Sequence, residues 1–409
     1  MSGSTVVVII FIKLLNIILM RGIYLPYKVE IENFKSIKRI NFELGDLTIL
    51  IGPPGSGKSN ILDALAIAGY VNRFRFLDKE YDNNGTNLEP PYIIGRYLEV
   101  YQLFRYSDLT NPIKNHFSGD VDFNYEISYV SGAPRIVINE KMLNWDLKTL
   151  RSDPMSEIQS LVKTLPILET RLYGFDRYSL SSTNCAPNFC GLQLRLSNLS
   201  NARSFPASIL SEIGWNAPYI IRRHREVISE IDDFLAKNLG MNIEIVIRKT
   251  GEMIILDNKT EVDAVGVSES ISRMIYNVLA LRSSLFYTKL YGLEKKFFIL
   301  LEEPEAHIFP YFLDILTDEI VKAIENVNMI ITTHNPLFAS KIFDKIKNLK
   351  IYYVHRNYEG FTDVKELDIE KLAEDVVSIE EIMFKNPSEI LRKYAVEVSK
   401  HEKRSYGAG

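Results

Sequence analysis

Three segments of this chain carry residue types at spacings suited to chemistry on a nucleotide phosphate. The first, Gly52-Pro-Pro-Gly-Ser-Gly-Lys-Ser59, fits the pattern G-x-x-x-x-G-K-[ST]. Gly52, Gly55 and Gly57 let the backbone wrap closely around a β-phosphate. With Pro53, Pro54, Ser56 and Asn60 they predict a phosphate cradle that opens a helix whose N-terminus faces the anion. Lys58 places a point charge between the β- and γ-phosphates, and the Ser59 hydroxyl is a ligand for Mg²⁺.

The second segment is Phe297-Phe-Ile-Leu-Leu-Glu302-Glu303-Pro304-Glu305-Ala306-His307, where acids follow directly on a continuous apolar run. Such a run reads as a strand buried on both faces, and its C-terminal end is where an open α/β sheet binds ligands. Two adjacent carboxylates there divide the labour. Glu302 holds Mg²⁺ through water, and Glu303 orients or deprotonates an attacking water. The third segment, Ile330-Ile-Thr-Thr-His334-Asn-Pro336, puts an imidazole at the end of the next strand, within reach of a γ-phosphate or lytic water.

The elements that must position these groups follow from hydrophobic period. Tyr27 to Phe34 and Lys38 to Leu44 alternate in strand fashion, Leu47 to Ile51 is a buried strand, and Ile61, Leu62, Leu65 and Ala68 recur at helical spacing. Tyr92 to Phe104 and Asp120 to Asn139 read as strand-rich, whereas about 155–239 reads as mainly helical. Two strands joined by a turn at Thr250-Gly251 precede a helix from about Ser268 through Leu281. Lys296–Leu301, Asn328–Thr333 and Lys350–Val354 then read as buried strands, with a crossover helix over Phe312 to Ile324. Alternating strand and helix around a phosphate loop calls for a mostly parallel α/β sheet.

Composition sets the remaining bounds. With 409 residues and 46% hydrophobic content the chain can bury a large core, and a net charge of −4 gives no global attraction to nucleic acid. Cys185 and Cys190 lack a second ligand pair, so packing or incidental exposure fits them better than zinc, and so few cysteines suit a reducing cytosol. The apolar stretch from Val6 to Leu19 is broken by Lys13 and Asn16 and is shorter than the roughly 20 residues of a membrane span. It reads as an assigned start placed too far upstream or as an extra packed element, in preference to a membrane anchor, and a cytoplasmic protein is expected.

Taken together, Asn33-Phe-Lys-Ser36, Gly57-Lys-Ser-Asn-Ile-Leu-Asp-Ala-Leu65, Leu301-Glu-Glu-Pro-Glu-Ala-His307 and Thr332-Thr-His-Asn-Pro336 resemble the ATP-binding-cassette type ATPases of the RecF, OLD and structural-maintenance-of-chromosomes (SMC) group. The resemblance covers about 23–70 and 265–355. It implies an α/β P-loop core split like an ABC or SMC head, with a mostly parallel sheet, an antiparallel β part and an inserted, mainly helical subdomain. The corresponding boundaries are an apolar leader at 1–22, a first ATPase lobe at 23–140, the insert at 141–240 and a second lobe at 241–409. It also implies ATP with Mg²⁺, and a homodimer whose heads join head to tail around two nucleotides.

In that arrangement a signature serine followed by two glycines contacts the γ-phosphate of the opposite head. Here Val267-Ser268-Glu269-Ser270 keeps the serine, Ser268, without the glycine pair, and Glu302 stands where aspartate is usual. Gln102 is the candidate for the glutamine that such proteins carry between their lobes.

After His334 about 75 residues remain, with no arrangement of acids that reads as a nuclease site. The chain is therefore expected to act as a switch whose output lies in a partner. Arg222, Arg223 and Arg225 form a basic cluster that either tracks DNA or is a solvated face paired with nearby acids. Two roles follow: a nucleic-acid-associated switch in DNA maintenance or defence against mobile elements, or an ATP-gated scaffold for a separate effector protein.

Overall fold

The structure, a computed structural model, describes residues 26–76, 100–130, 133–143, 155–175, 208–212, 214, 216–223, 233, 236–237, 243–248, 253–263, 268–346, 348–375 and 377–396. The apolar leader, both cysteines, most of the insert and the basic cluster beyond Arg223 lie outside the described residues.

In chain order the elements begin with β1 (Tyr27–Phe34), β2 (Ile37–Leu44), β3 (Leu47–Ile51), α1 (Lys58–Tyr70), β4 (Ile113–Ser118), β5 (Phe123–Val130), β6 (Ala133–Ile138) and β7 (Lys141–Leu143). Then follow α2 (Met155–Thr164), β8 (Glu169–Tyr173), α3 (Ala217–Arg223), β9 (Ile243–Ile247), β10 (Met253–Asp257) and β11 (Thr260–Asp263). The chain continues through α4 (Glu269–Tyr291), β12 (Phe297–Glu302), α5 (Pro310–Ala323), β13 (Asn328–Thr332), α6 (Pro336–Lys345), β14 (Leu349–Arg356) and β15 (Thr362–Glu366). Short helices α7 (Ile369–Glu374), α8 (Ile379–Phe384) and α9 (Pro387–Tyr394) close it.

The central sheet has the order β15-β14-β3-β13-β12-β8 and is parallel except at β15. Its inner strands are apolar on both faces, and their alternation divides the core in two. Leu47, Ile49, Phe297, Ile299, Met329 and Ile331 pack on the side of α4, α5 and α6. Leu50, Phe298, Leu300, Ile330 and Val354 pack on the side of α1 and the antiparallel sheet β2-β1-β4-β5-β6-β7. Continuous apolar runs rather than alternating ones are what burial on both faces requires.

Helix α1 is held between the two sheets by polar contacts as well as by its apolar residues. Thr170 of β8 donates to Leu65 O at 2.9 Å, and Asn115 of β4 donates to Ala64 O at 3.2 Å.

Two expectations need correction. Glu169–Tyr173, inside the stretch read as helical, is a strand and edges the central sheet. Val100–Leu103, read as strand, is a 3₁₀ turn. The two strands expected around Thr250-Gly251 are present at Ile243–Ile247 and Met253–Asp257 and pair antiparallel in a separate three-stranded sheet, β11-β10-β9. The helix that starts after Ser268 also runs to Tyr291, where Gly292 ends it in a left-handed conformation.

Strand β8 owes its place to a buried polar network. Arg73, just beyond α1, pairs with Glu212 and donates to Thr170 O at 2.9 Å, while Glu212 also accepts from Leu172 N at 3.2 Å. Removing one member of a buried ion pair strands the other charge. Glu212→Ala is therefore expected to lower unfolding stability by about 3–5 kcal/mol in a denaturant titration.

Candidate active site

The phosphate loop is shaped from behind by the β14–β15 hairpin. Gly52 and Gly57 have φ of 144° and 110°. A Cβ on Gly52 would lie 2.1 Å from Val354 O, and one on Gly57 would lie 2.0 Å from Thr362 Oγ1. Both positions therefore require glycine for conformation and for space. Thr362 Oγ1 donates to Ser56 O at 2.9 Å and pairs with Ser36 Oγ at 2.7 Å, and Asn60 Nδ2 donates to Ser36 Oγ at 2.6 Å. Arg356 Nε donates to Gly55 O at 2.9 Å.

Lys58 is buried at the start of α1, and its Nζ donates to Gly52 O at 2.9 Å and Pro53 O at 3.1 Å. Burial lowers its pKa to about 8, against an opposing pull from Glu303. The Ser56 hydroxyl is buried without a hydrogen-bond partner. A cation held by loop carbonyls, an orphaned hydroxyl and a helix N-terminus are a donor set that fits a polyphosphate.

Strand register brings the other two segments to this loop. Thr332 lies opposite Leu50 on one side and Glu302 on the other, so β3, β13 and β12 end level with one another. Glu303 N donates to Thr332 O at 3.1 Å, and His334 Nε2 lies 3.4 Å from Glu303 Oε1. Burial first, then the Lys58 charge, hold the His334 pKa below its ordinary value of 6.5, with Glu303 opposing. His334 is thus neutral at pH 7 and can donate or accept a hydrogen bond.

Glu303 adopts φ of 45° and His307 φ of 59°. Left-handed backbone at non-glycine residues costs on the order of 1–3 kcal/mol each and concentrates at functional sites.

Ser268 is the exposed N-cap of α4, and its side chain makes no capping bond. In its own chain the start of α4 docks on the loop after Glu303. Phe309 N donates to Ser270 Oγ at 3.0 Å, Arg273 Nη1 to Glu303 O at 3.4 Å and Asn277 Nδ2 to Pro304 O at 2.8 Å. Gln102 is exposed on its 3₁₀ turn beside the β1–β2 turn, where Lys35 N donates to Leu103 O at 2.9 Å. Of the residues expected from the sequence, the structure brings Lys58, Glu303 and His334 together.

Several contributors escape sequence reasoning. Thr362 and Arg356 support the loop from about 300 residues away, and no local pattern marks them. Asn335 also went unread, although Asn followed by Pro is the signal of a cap and first helical position. It accepts from Phe338 N at 3.1 Å at the start of α6.

Among protein families, residues 27–100 match the AAA ATPase domain. No curated protein matches the chain in sequence. Among solved structures, it is similar to an SMC head bound to the C-terminal winged-helix domain of ScpA, with a TM-score of 0.51 and 16% identity over 86% of this chain and 99% of that one. It is likewise similar to an SMC head with an extended coiled coil, bound to the C-terminal domain of ScpA derived from Pyrococcus furiosus. There the TM-score is 0.50 at 14% identity, over 88% of this chain and 99% of that one.

Two substitutions probe the loop. Gly57→Ala is expected to weaken nucleotide binding more than tenfold, measured with a fluorescent ATP analogue. Because a bound triphosphate favours protonated Lys58, affinity in the wild type should fall as pH rises through about 8, toward tenfold per pH unit. Lys58→Met should bind weakly and lose that slope.

Residues 27–100 thus match an AAA ATPase domain, set in an α/β P-loop fold of the SMC-head type.

Proposed function

We propose that the protein binds and hydrolyses ATP, and that hydrolysis times a switch between separate heads and a head-to-tail dimer. The single observation that carries this reading is the placement of Glu303 and His334, 3.4 Å apart at the ends of adjacent strands, beside the buried cation Lys58. In this reading the loop from Gly52 to Asn60 cradles the phosphates, and Lys58 exchanges its carbonyl partners for phosphate oxygens. Glu303 orients and deprotonates the attacking water, while neutral His334 hydrogen-bonds the γ-phosphate or that water. Ser59 and Glu302 are the residues to hold Mg²⁺, whose chemistry would be to neutralise charge on the β- and γ-oxygens. A water acceptor, rather than a second substrate, suits the paired glutamates and the imidazole.

The dimer is supported by the surface around these groups. Phe309, Tyr311 and Leu337 are exposed next to the loop that carries Glu303 and next to His334, with Phe309 at 63% exposure. Large exposed apolar side chains rimmed by charge mark an interface. In the dimer Ser268 of each head would meet the γ-phosphate held by the other.

The output is either contact with DNA or control of a separate effector protein. The two similar SMC heads are each bound to a ScpA domain, which supports a protein partner; Arg222, exposed on α3, supports the nucleic-acid role. Among the described residues no helix is long and apolar enough to cross a membrane.

Glu303→Gln is expected to keep ATP binding, reduce phosphate release by about 10²–10⁴-fold, and accumulate dimers visible by light scattering. Wild-type turnover in this variant would refute the assignment. Lys58→Ala should abolish ATP-dependent dimerisation. Charge reversal at Arg222, Arg223 and Arg225 should abolish DNA binding if DNA is the output, whereas a wild-type protein that ignores DNA is the scaffold.

A further inference from the structure

A second acid in the Glu303 loop has no part in the reading above and yet is bonded to the residue that precedes His334. Glu305 is 4% exposed, in a loop whose neighbouring glutamates are half-buried. Its Oε1 accepts from Thr333 Oγ1, and Thr333 is itself fully buried. The same Thr333 hydroxyl oxygen accepts from Asn335 N at 2.9 Å. Thr333 and Asn335 flank His334, so this one hydroxyl fixes the backbone on both sides of the imidazole and ties it to the loop of Glu303. The other Glu305 oxygen, Oε2, is buried without a hydrogen-bond partner. A buried carboxyl with one oxygen unpaired costs more than an apolar side chain in the same space.

We infer that Glu305 is a positioning residue for hydrolysis: through Thr333 it clamps the loop bearing His334 to the loop bearing Glu303 and so sets the spacing between base and sensor. The inference rests on the hydrolytic reading of Glu303 and His334. The clamp also has an input. The loop from Glu303 to Phe309 is docked on the first turns of α4 through Ser270, Arg273 and Asn277. Helix α4 begins at Ser268, the residue assigned to the nucleotide of the opposite head. A displacement of α4 on dimerisation would therefore reach His334 by way of Pro304 and Glu305, without any contact between α4 and the histidine. Charged groups that act on Glu305 include Glu303 from its own loop and Arg273 from α4.

Removing the clamp should slow turnover and leave nucleotide binding alone. Glu305→Leu, of similar size without an acceptor, and Thr333→Val, without a donor, are each expected to lower kcat at least tenfold, with affinity for a fluorescent ATP analogue within twofold of wild type. The double variant should lose no more than either single one. Glu305→Gln keeps an acceptor for Thr333 and should restore most of the rate, which a need for negative charge at this position would not allow. Thermal unfolding of each variant separates lost rate from lost fold.

A second readout does not depend on turnover. In histidine-labelled protein the NMR signal of His334, identified by its absence in His334→Gln, should shift in Glu305→Leu and Thr333→Val and move back in Glu305→Gln. An unmoved His334 signal in both clamp variants overturns the inference whether or not the protein hydrolyses ATP. So does a Glu305→Gln variant as slow as Glu305→Leu. Absent wild-type phosphate release, by contrast, overturns the hydrolytic reading, and a shifted His334 signal would still establish the clamp.

Discussion

The register of three parallel strands is the constraint on which the site depends. β13 lies between β3 and β12, with Thr332 opposite both Leu50 and Glu302. That order leaves His334 between the phosphate loop and the catalytic candidate Glu303. Neither the loop nor the acids could find each other through local structure, since about 250 residues separate them. What holds the register is burial on both faces: a shift by one residue would exchange the residues packed against α1 for those packed against α4, α5 and α6. The chemistry at the strand ends is thus fixed by apolar packing several ångströms below it.

Polar groups then set what packing cannot. The phosphate loop approaches Thr362 so closely that only glycine fits at position 57, and Thr362, Ser36 and Asn60 form one chain of hydrogen bonds beneath it. This ties the loop to the β1–β2 turn and to the β14–β15 hairpin at once. Such buried networks are worth their desolvation only when satisfied. Here the support is aimed at the loop's carbonyls, and the first N–H groups of α1, which a helix cannot pair internally, remain for an anion.

How much could be read from the sequence depended on whether apolar period or buried polarity decides an element. β3, β12 and β13 announce themselves as unbroken apolar runs, and so their ends, with Lys58, Glu303 and His334, were legible. β8 was not. Its sequence, Glu169-Thr-Arg-Leu-Tyr173, holds three polar residues that are fully buried, because Tyr287 Oη donates to Glu169 Oε2 at 2.9 Å and Arg171 Nε meets Glu169 Oε1 at 3.1 Å. The partners of that strand come from α4 and from the turn after α1, and no local window contains them. Val100–Leu103 misled in the opposite way: its strand-like composition leads into Tyr106 and Ser107, both at positive φ, which turn the chain instead of extending it. The roles of Glu305 and Thr333 were hidden for the same reason as β8, since each is defined by the other across the sheet.

The proposed contact of Ser268 with a second head is where sequence and structure bear on each other most directly. Glu269 follows Ser268 where the ATPases that the sequence resembles carry a glycine, and read alone it would put a negative charge beside the γ-phosphate of the proposed dimer. In the folded chain its Oε1 lies 3.8 Å from Arg273 Nε and 3.9 Å from His307 Nε2. Arg273 is a residue of the same helix one turn on, and it also stacks on Phe175 at 4.8 Å. The carboxylate is therefore offset in its own head by a permanent cation, and a carboxylate in the first turn is favourable to the helix dipole. What remains at the tip of α4 is an exposed serine that makes no capping bond and the positive end of a 23-residue helix. Those are the two features a phosphate from a second head would use. Without a glycine pair the backbone would approach less closely, so in the proposed dimer contact in trans would fall to the Ser268 hydroxyl.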